Sequence, residues 1–340
     1  MDDSTHHATP TDAAPSQEEL VAKLADAKSR IDAEIRKVVL GQDEVIEQVL
    51  TAVLAGGHCL LTGAPGLAKT LLIQTLSRVF DVSFQRIQFT PDLMPSDLVG
   101  TEILEDTDSG RKLVYRPGPV FANMVLADEI NRTPPKTQSA LLEAMQEKQV
   151  TAAGETRPLP RPFYVFATQN PIEMEGTYPL PEAQLDRFMF SILVDYLDED
   201  AETAVVAKTT SSGEEEVNAV FNAEDLVAFQ GLVRDVPVAE AIVRYAVRLC
   251  AATRPGRSQF PDIIGEHISW GAGLRAPQNL VLAGKTRALL QGRAHVTVED
   301  IQAAALPVLR HRVLTNYRAE ADGVTVEDII GRLIQTVPGV

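Results

Sequence analysis

Eight consecutive residues, Gly63-Ala64-Pro65-Gly66-Leu67-Ala68-Lys69-Thr70, restrict what this chain can fold into more than any other segment. A short apolar run, Cys59-Leu60-Leu61, precedes them, and a helical pattern, Leu71, Leu72, Leu76 and Val79, follows. Strand, glycine-rich loop and helix in that order make a phosphate-binding loop. In such a loop, backbone N–H groups and the start of the helix converge on phosphate oxygens. The Lys69 ammonium is placed to meet the β- and γ-phosphates, and the Thr70 hydroxyl to complete a magnesium shell. Residues Gly63 to Leu71 are therefore the candidate nucleotide contacts. Ala68 stands where a glycine usually precedes the lysine, and we expect it to make the turn at negative φ.

The surrounding pattern supports the same architecture. Apolar runs at Cys59–Leu61, Phe84–Phe89, Met124–Ala127, Phe163–Ala167 and Met189–Val194 alternate with helical spacing. That alternation predicts an α/β fold, a parallel sheet with helices on both faces. A β-hairpin is expected across Thr101–Arg116, and a smaller one across Gly154. Beyond about Leu197 strand signals stop, and helices are expected at Val238–Ala252, Pro277–Gln291, Val298–Ala305 and Val326–Ile334. The string TVEDI occurs twice, at Thr297 and Thr325, and reads as two capping boxes rather than a repeat. Another capping box is expected at Ser16 and Glu19. The 340 residues thus divide into an acidic disordered tail (1–17), an α/β nucleotide-binding core (18–197) and a linker with a smaller all-α domain (198–340).

Other strand ends carry further candidates. Met124-Val125-Leu126-Ala127 delivers Asp128 and Glu129, the first to hold magnesium and the second to polarise the attacking water. The run Phe163–Ala167 ends in Thr168-Gln169-Asn170-Pro171. Ligands bind at the carboxyl ends of parallel strands, so Asn170 either orients water at the γ-phosphate or is an ordinary Asn-Pro turn former. Arg187 lies in Leu185-Asp186-Arg187-Phe188 and Arg275 follows Gly271-Ala272-Gly273-Leu274. Each could stabilise phosphoryl charge, but locally a surface ion pair to the many carboxylates explains each better.

Composition narrows the function classes. Lys plus Arg number 31 and Asp plus Glu 47, a formal charge of −16. General attraction to nucleic acid or an anionic membrane surface needs the opposite sign. The two cysteines, Cys59 and Cys250, belong to no Cys/His cluster and read as small buried hydrophobes. No basic n-region or apolar span is present, so a cytoplasmic location without membrane insertion is expected.

The dense string of motifs resembles the AAA+ ATPases and, more narrowly, the MoxR family. The matching text is Val38-Val39-Leu40-Gly41-Gln42, GAPGLAKT at 63–70, RIQFTPDLMPSDLVG at 86–100, RPGPVF at 116–121, ADEINR at 127–132, SALLEAMQE at 139–147, ATQNP at 167–171 and YPLPEAQLDRF at 178–188. The resemblance implies an AAA+ core with a hairpin insert at 101–116, a helical lid, and magnesium-dependent ATP hydrolysis in a ring that is typically hexameric. It implies that Gly41 and Gln42 lie beside the adenine and that Asn170 is the first sensor. Arg187 would be an arginine finger acting on a neighbouring subunit's nucleotide. Arg275 would be the second sensor, acting in cis or in trans. It further implies chaperone-like maturation of protein complexes, including cofactor or metal insertion, often with a von Willebrand factor A domain partner.

Three other readings fit parts of the pattern. A magnesium-chelatase motor subunit is close to the same pattern. A DNA-dependent motor would explain Arg111, Lys112 and Arg116 in the hairpin, but Glu102, Glu105, Asp106 and Asp108 dilute that charge. A nucleotide-gated scaffold without turnover conflicts with the intact Lys69, Thr70, Asp128 and Glu129.

Overall fold

The computed structural model describes residues 17–107, 110–171, 176–211, 213, 215–256 and 266–339. Residues 1–16 of the expected tail, with the Ser16 capping box, the hairpin tip at 108–109 and part of the acidic linker lie outside the described residues, while Gln17, expected in the tail, already opens the helix Gln17–Arg36.

The strands of the first part are, in chain order, β1 (Cys59–Thr62), β2 (Phe84–Gln88), β3 (Gly100–Thr107), β4 (Gly110–Pro117), β5 (Met124–Asp128), β6 (Gln149–Ala152), β7 (Glu155–Pro158), β8 (Tyr164–Gln169) and β9 (Phe190–Leu193). Five of them form one sheet in the order β2-β5-β8-β1-β9, every pair parallel. The hairpins β3-β4 and β6-β7 are separate antiparallel ribbons.

Alternation along each strand splits the core in two. Cys59, Leu61, Met124, Leu126, Tyr164, Phe166, Phe190 and Ile192 pack on one face, with the helices Asp43–Ala55 and Lys69–Val79 and the C-terminal helices. Leu60, Val125, Ala127, Val165 and Ala167 pack on the other, against Leu141, Leu142 and Met145 of the helix Pro135–Glu147. Successive side chains in a strand point to opposite faces, so both faces of these runs are apolar, as a sheet covered on both sides requires. All these strand side chains are almost completely buried.

Register is what builds the site. Gln88 pairs with Asp128, Ala127 with Ala167, and Thr62 with Gln169. The carboxyl ends of β2, β5, β8 and β1 therefore finish side by side.

The C-terminal part is mainly helical, with Ala223–Asp235, Glu240–Ala252, Arg275–Leu290, Val298–Leu309 and Val326–Thr336 as its main helices. Both TVEDI strings are capping boxes: Thr297 and Thr325 are N-caps, with Asp300 and Asp328 returning to their backbone N–H groups at 2.9 and 3.0 Å. Two expectations need correction. Strand structure does not stop at Leu197: β10 (Ile268–Trp270) and β11 (Leu314–Thr315) pair antiparallel. Segments of three and two residues are too short to show a period. The helix expected from Pro277 begins at Arg275, with the proline in its first turn, where an N–H has no intrahelical partner to lose. Among the described residues no helix is long and apolar enough to cross a membrane.

Candidate functional site

The loop between β1 and the helix Lys69–Val79 borders a cleft of about 410 Å³. Gly63, Pro65, Gly66, Leu67, Ala68, Lys69, Thr70 and Leu71 form one side of it. Arg86, Gln88, Asp128, Glu129, Thr168, Gln169 and Asn170, from the strand ends, form the other. The loop is tight because two glycines permit it. A Cβ on Gly63 would run into the backbone carbonyl of Val194, and Gly66 sits at φ +84°. Ala68 also takes positive φ, at 56°, which overturns the expectation of a negative value. The geometry of the turn before the helix outweighs the local preference of alanine, a cost of about 1–2 kcal/mol.

Lys69 lies across this loop, its ammonium donating to the carbonyls of Gly63 at 2.8 Å and Ala64 at 2.6 Å. Burial pulls its pKa below the ordinary value, while Asp128 and Glu129 act the other way. Opposite, the two carboxylates are held apart by different partners. The Arg86 guanidinium donates twice to Asp128 Oδ2, at 2.6 and 2.9 Å. Thr168 Oγ1 donates to Asp128 Oδ1 at 2.6 Å and accepts from the Glu129 N–H at 2.8 Å. Gln88 and Arg132 both donate to Glu129 Oε2, at 2.8 and 2.9 Å. Glu129 itself sits at φ 56°, a strained backbone position fixed by the Thr168 bond.

Thr168, Arg86, Gln88 and Arg132 were not singled out from the sequence. A signal existed for two of them: Arg86 and Gln88 are an i, i+2 polar pair on one face of a short edge strand. Thr168 gave none, because only the register across β5 and β8 puts its hydroxyl between two carboxylate-bearing residues.

The candidates do not all meet in one place. Asn170 is buried and lines the cleft. Gln42 is buried at the start of the helix Asp43–Ala55, in a closed crevice with Val39, Val45, Leu67, Ala68, Lys69 and Leu72. Gly41 precedes it at φ +72°, where a side chain would press on Leu197 and Ala201. Arg187 and Arg275 are not among the residues that line the cleft of their own chain. Arg187 donates to the Leu142 carbonyl at 2.8 Å. Arg275 lies 3.7 Å from Asp186. Cys59 and Cys250 are fully buried, and burial raises both thiol pKa values, that of Cys250 to about 12.

The donor set suits a magnesium–nucleotide complex. Hydroxyl and carboxylate oxygens, from Thr70 and Asp128, are the ligands a hard divalent cation takes. Lys69 and the first turn of its helix supply positive charge and N–H groups for phosphate oxygens.

Comparison with known proteins agrees with this geometry. Residues 58–190 match the model of the ATPase family associated with various cellular activities, and residues 262–333 match the AAA lid domain. Chaperone MoxR1 of Mycobacterium tuberculosis is 41% identical over 334 residues, covering 98% of this chain and 88% of the relative. The chain belongs to the MoxR family of AAA+ ATPases. Protein MoxR of Methylorubrum extorquens is 34% identical over 332 residues, covering 92% and 95% of the two chains. A crystal structure from Cytophaga hutchinsonii superposes with a TM-score of 0.87 at 42% identity, covering 95% of this chain and 98% of that one. The MoxR assignment accounts for both the parallel core and the helical lid.

Proposed function

We propose that this MoxR-family chain hydrolyses ATP in a closed, typically six-membered ring and spends the energy on remodelling a partner protein complex. The observation that carries the reading is the cleft itself, in which Lys69, Thr70, Asp128, Glu129 and Asn170 arrive from three strand ends around one space. Magnesium held by Thr70 and Asp128 would supply charge to the β- and γ-phosphates. Lys69 exchanges its two loop carbonyls for phosphate oxygens. Glu129 Oε2 is engaged by Gln88 and Arg132, so Oε1 is the oxygen that takes the water proton. Thr168 holds both carboxylates in register, and Asn170 orients the water. Gln42 lies beside the base.

Arg187 completes the site of a neighbouring copy. Its absence from the cleft of its own chain supports this, because an arginine that acts between subunits works when they close head to tail. Arg275 senses nucleotide from the lid. Protein clients, including a von Willebrand factor A domain partner and an enzyme awaiting cofactor or metal, suit the hairpin better than nucleic acid does. Its Arg111 and Arg116 are already paired with Asp106 and Glu105. Leu104 and Leu113 face each other across it, 58% and 65% exposed. The ring is read as cytoplasmic and not inserted in a membrane.

Mixing subunits tests the ring. Glu129→Gln and Arg187→Ala chains are each expected to be nearly inactive alone. Mixed, they should regain turnover where an intact Glu129 meets an intact Arg187. No recovery in a mixed ring would refute the inter-subunit role.

A further inference from the structure

Arg310, His311 and Arg312 follow the lid helix Val298–Leu309, more than 100 residues from the segment they touch. All three bond to the backbone around Arg187. Arg310 donates to the Ser191 carbonyl at 2.7 Å. His311 donates through Nε2 to the Phe188 carbonyl at 3.1 Å. Arg312 uses every N–H of its guanidinium. Nε donates to Asp186 Oδ1 at 2.7 Å. One terminal nitrogen donates to the carbonyls of Met189, at 3.2 Å, and Val308. The other donates to the carbonyls of Asp186 and Phe188, at 3.0 and 2.6 Å. Its side chain is 2% exposed. An arginine has five N–H donors in a fixed fork, so none is spare. Four of the five bonds go to residues 186–189 and the fifth returns to the lid helix at Val308, so this buried cation ties that segment to the lid rather than adding much net stability.

Asp186 adds a link. The same carboxylate that accepts from Arg312 through Oδ1 faces Arg275 through Oδ2. Arg187 is the next residue along the chain, and its guanidinium donates to the Leu142 carbonyl at 2.8 Å, its one side-chain bond among the described residues. The lid thus fixes the backbone on both sides of Arg187 and leaves its guanidinium to be re-aimed.

We propose that Arg312 is the positioning residue for Arg187, the lid's clasp on residues 186–191 setting where that arginine meets a neighbouring copy's nucleotide. This rests on the reading that Arg187 acts between subunits. It adds a consequence: a lid movement sensed through Arg275 is transmitted to the neighbour's site through Asp186 and Arg312.

Subunit mixing assigns the residue to a class. Arg312→Lys keeps the charge and can serve at most three of the five acceptors. Alone, it is expected to lose on the order of 10²-fold in kcat, with the ring intact and its dissociation constant for a fluorescent ATP analogue changed by no more than about twofold. Mixed with Glu129→Gln chains it should regain turnover, because its own cleft is sound and the partner supplies a well-placed Arg187. Mixed with Arg187→Ala chains it should not. Recovery with Arg187→Ala, or with neither partner, overturns the proposal. The first result would mean a defect in its own cleft and the second a general one. Asp186→Asn, which loosens the same clasp from the other side, must fall in the same class and decides the matter if Arg312→Lys rings do not assemble. If Glu129→Gln and Arg187→Ala fail to complement each other, the inter-subunit reading itself is what falls.

Discussion

Replacing Thr168 by valine isolates what one hydroxyl does at the site. Valine has nearly the same shape, and the side chain is 1% exposed, so the cavity is unchanged while both hydrogen bonds go. The bond to the Asp128 carboxylate is of the charged kind, about 1.5–3 kcal/mol, and the Glu129 N–H is left without its partner at about 1–3 kcal/mol. The strain at Glu129 partly offsets this, since its left-handed backbone is released at a gain of about 1 kcal/mol. The net expectation is about 3 kcal/mol. For a domain of this size that lowers Tm by roughly 6–12 °C. Turnover should fall further than stability suggests, because Asp128 and Glu129 lose their common tether. Thr168→Ser keeps the hydroxyl and is the control. Calorimetry and steady-state phosphate release on the three proteins settle the point. Valine and serine variants with the same Tm and the same kcat would refute the idea that Thr168 organises the carboxylates.

Other outcomes follow from the same geometry. Ala68→Gly removes a side chain from φ 56° and should raise Tm by a few degrees, about 1 kcal/mol, measured by calorimetry. His58 is buried and accepts the Val165 N–H on Nδ1 at 3.0 Å, and burial pulls its pKa down to about 4 against the opposing bond to the Met145 carbonyl. The folded state therefore binds fewer protons than the unfolded one below pH 6.5. Stability from this group is complete above that pH and is lost as pH falls toward about 4, up to about 3 kcal/mol. Urea titrations from pH 7 to 4.5 should show a shallower decline for His58→Asn, with His311 contributing the same sign through its own burial. Asp300 accepts two bonds from Arg293, at 2.9 and 2.7 Å, and is 3% exposed at its side chain. Asp300→Asn should destabilise the lid by a few kcal/mol, on the order of a broken buried pair, read as an early unfolding step.

The strands were legible because their residues alternate between two apolar faces, which leaves no other place for runs such as Val125-Leu126-Ala127. The strand, loop and helix across 59–79 and the strand ending at Asp128 were legible because each is a continuous string of residues. What escaped depends on pairing between distant segments. Thr168 matters only because β8 lies beside β5 in one register. Arg312 matters only because the lid folds back onto residues 186–191. The ribbon of β10 and β11 is too short for any pattern. Ala68 shows the converse, a local preference overruled by the turn it completes.

The most direct test of the account is ATP binding and turnover measured side by side on the native chain and on Glu129→Gln, whose side chain keeps its size but cannot take a proton. The native protein should release phosphate continuously in magnesium. The variant should bind ATP with unchanged affinity and turn it over at least on the order of 10²-fold more slowly. Unchanged steady-state turnover in Glu129→Gln would contradict the assignment of the cleft as the hydrolytic site.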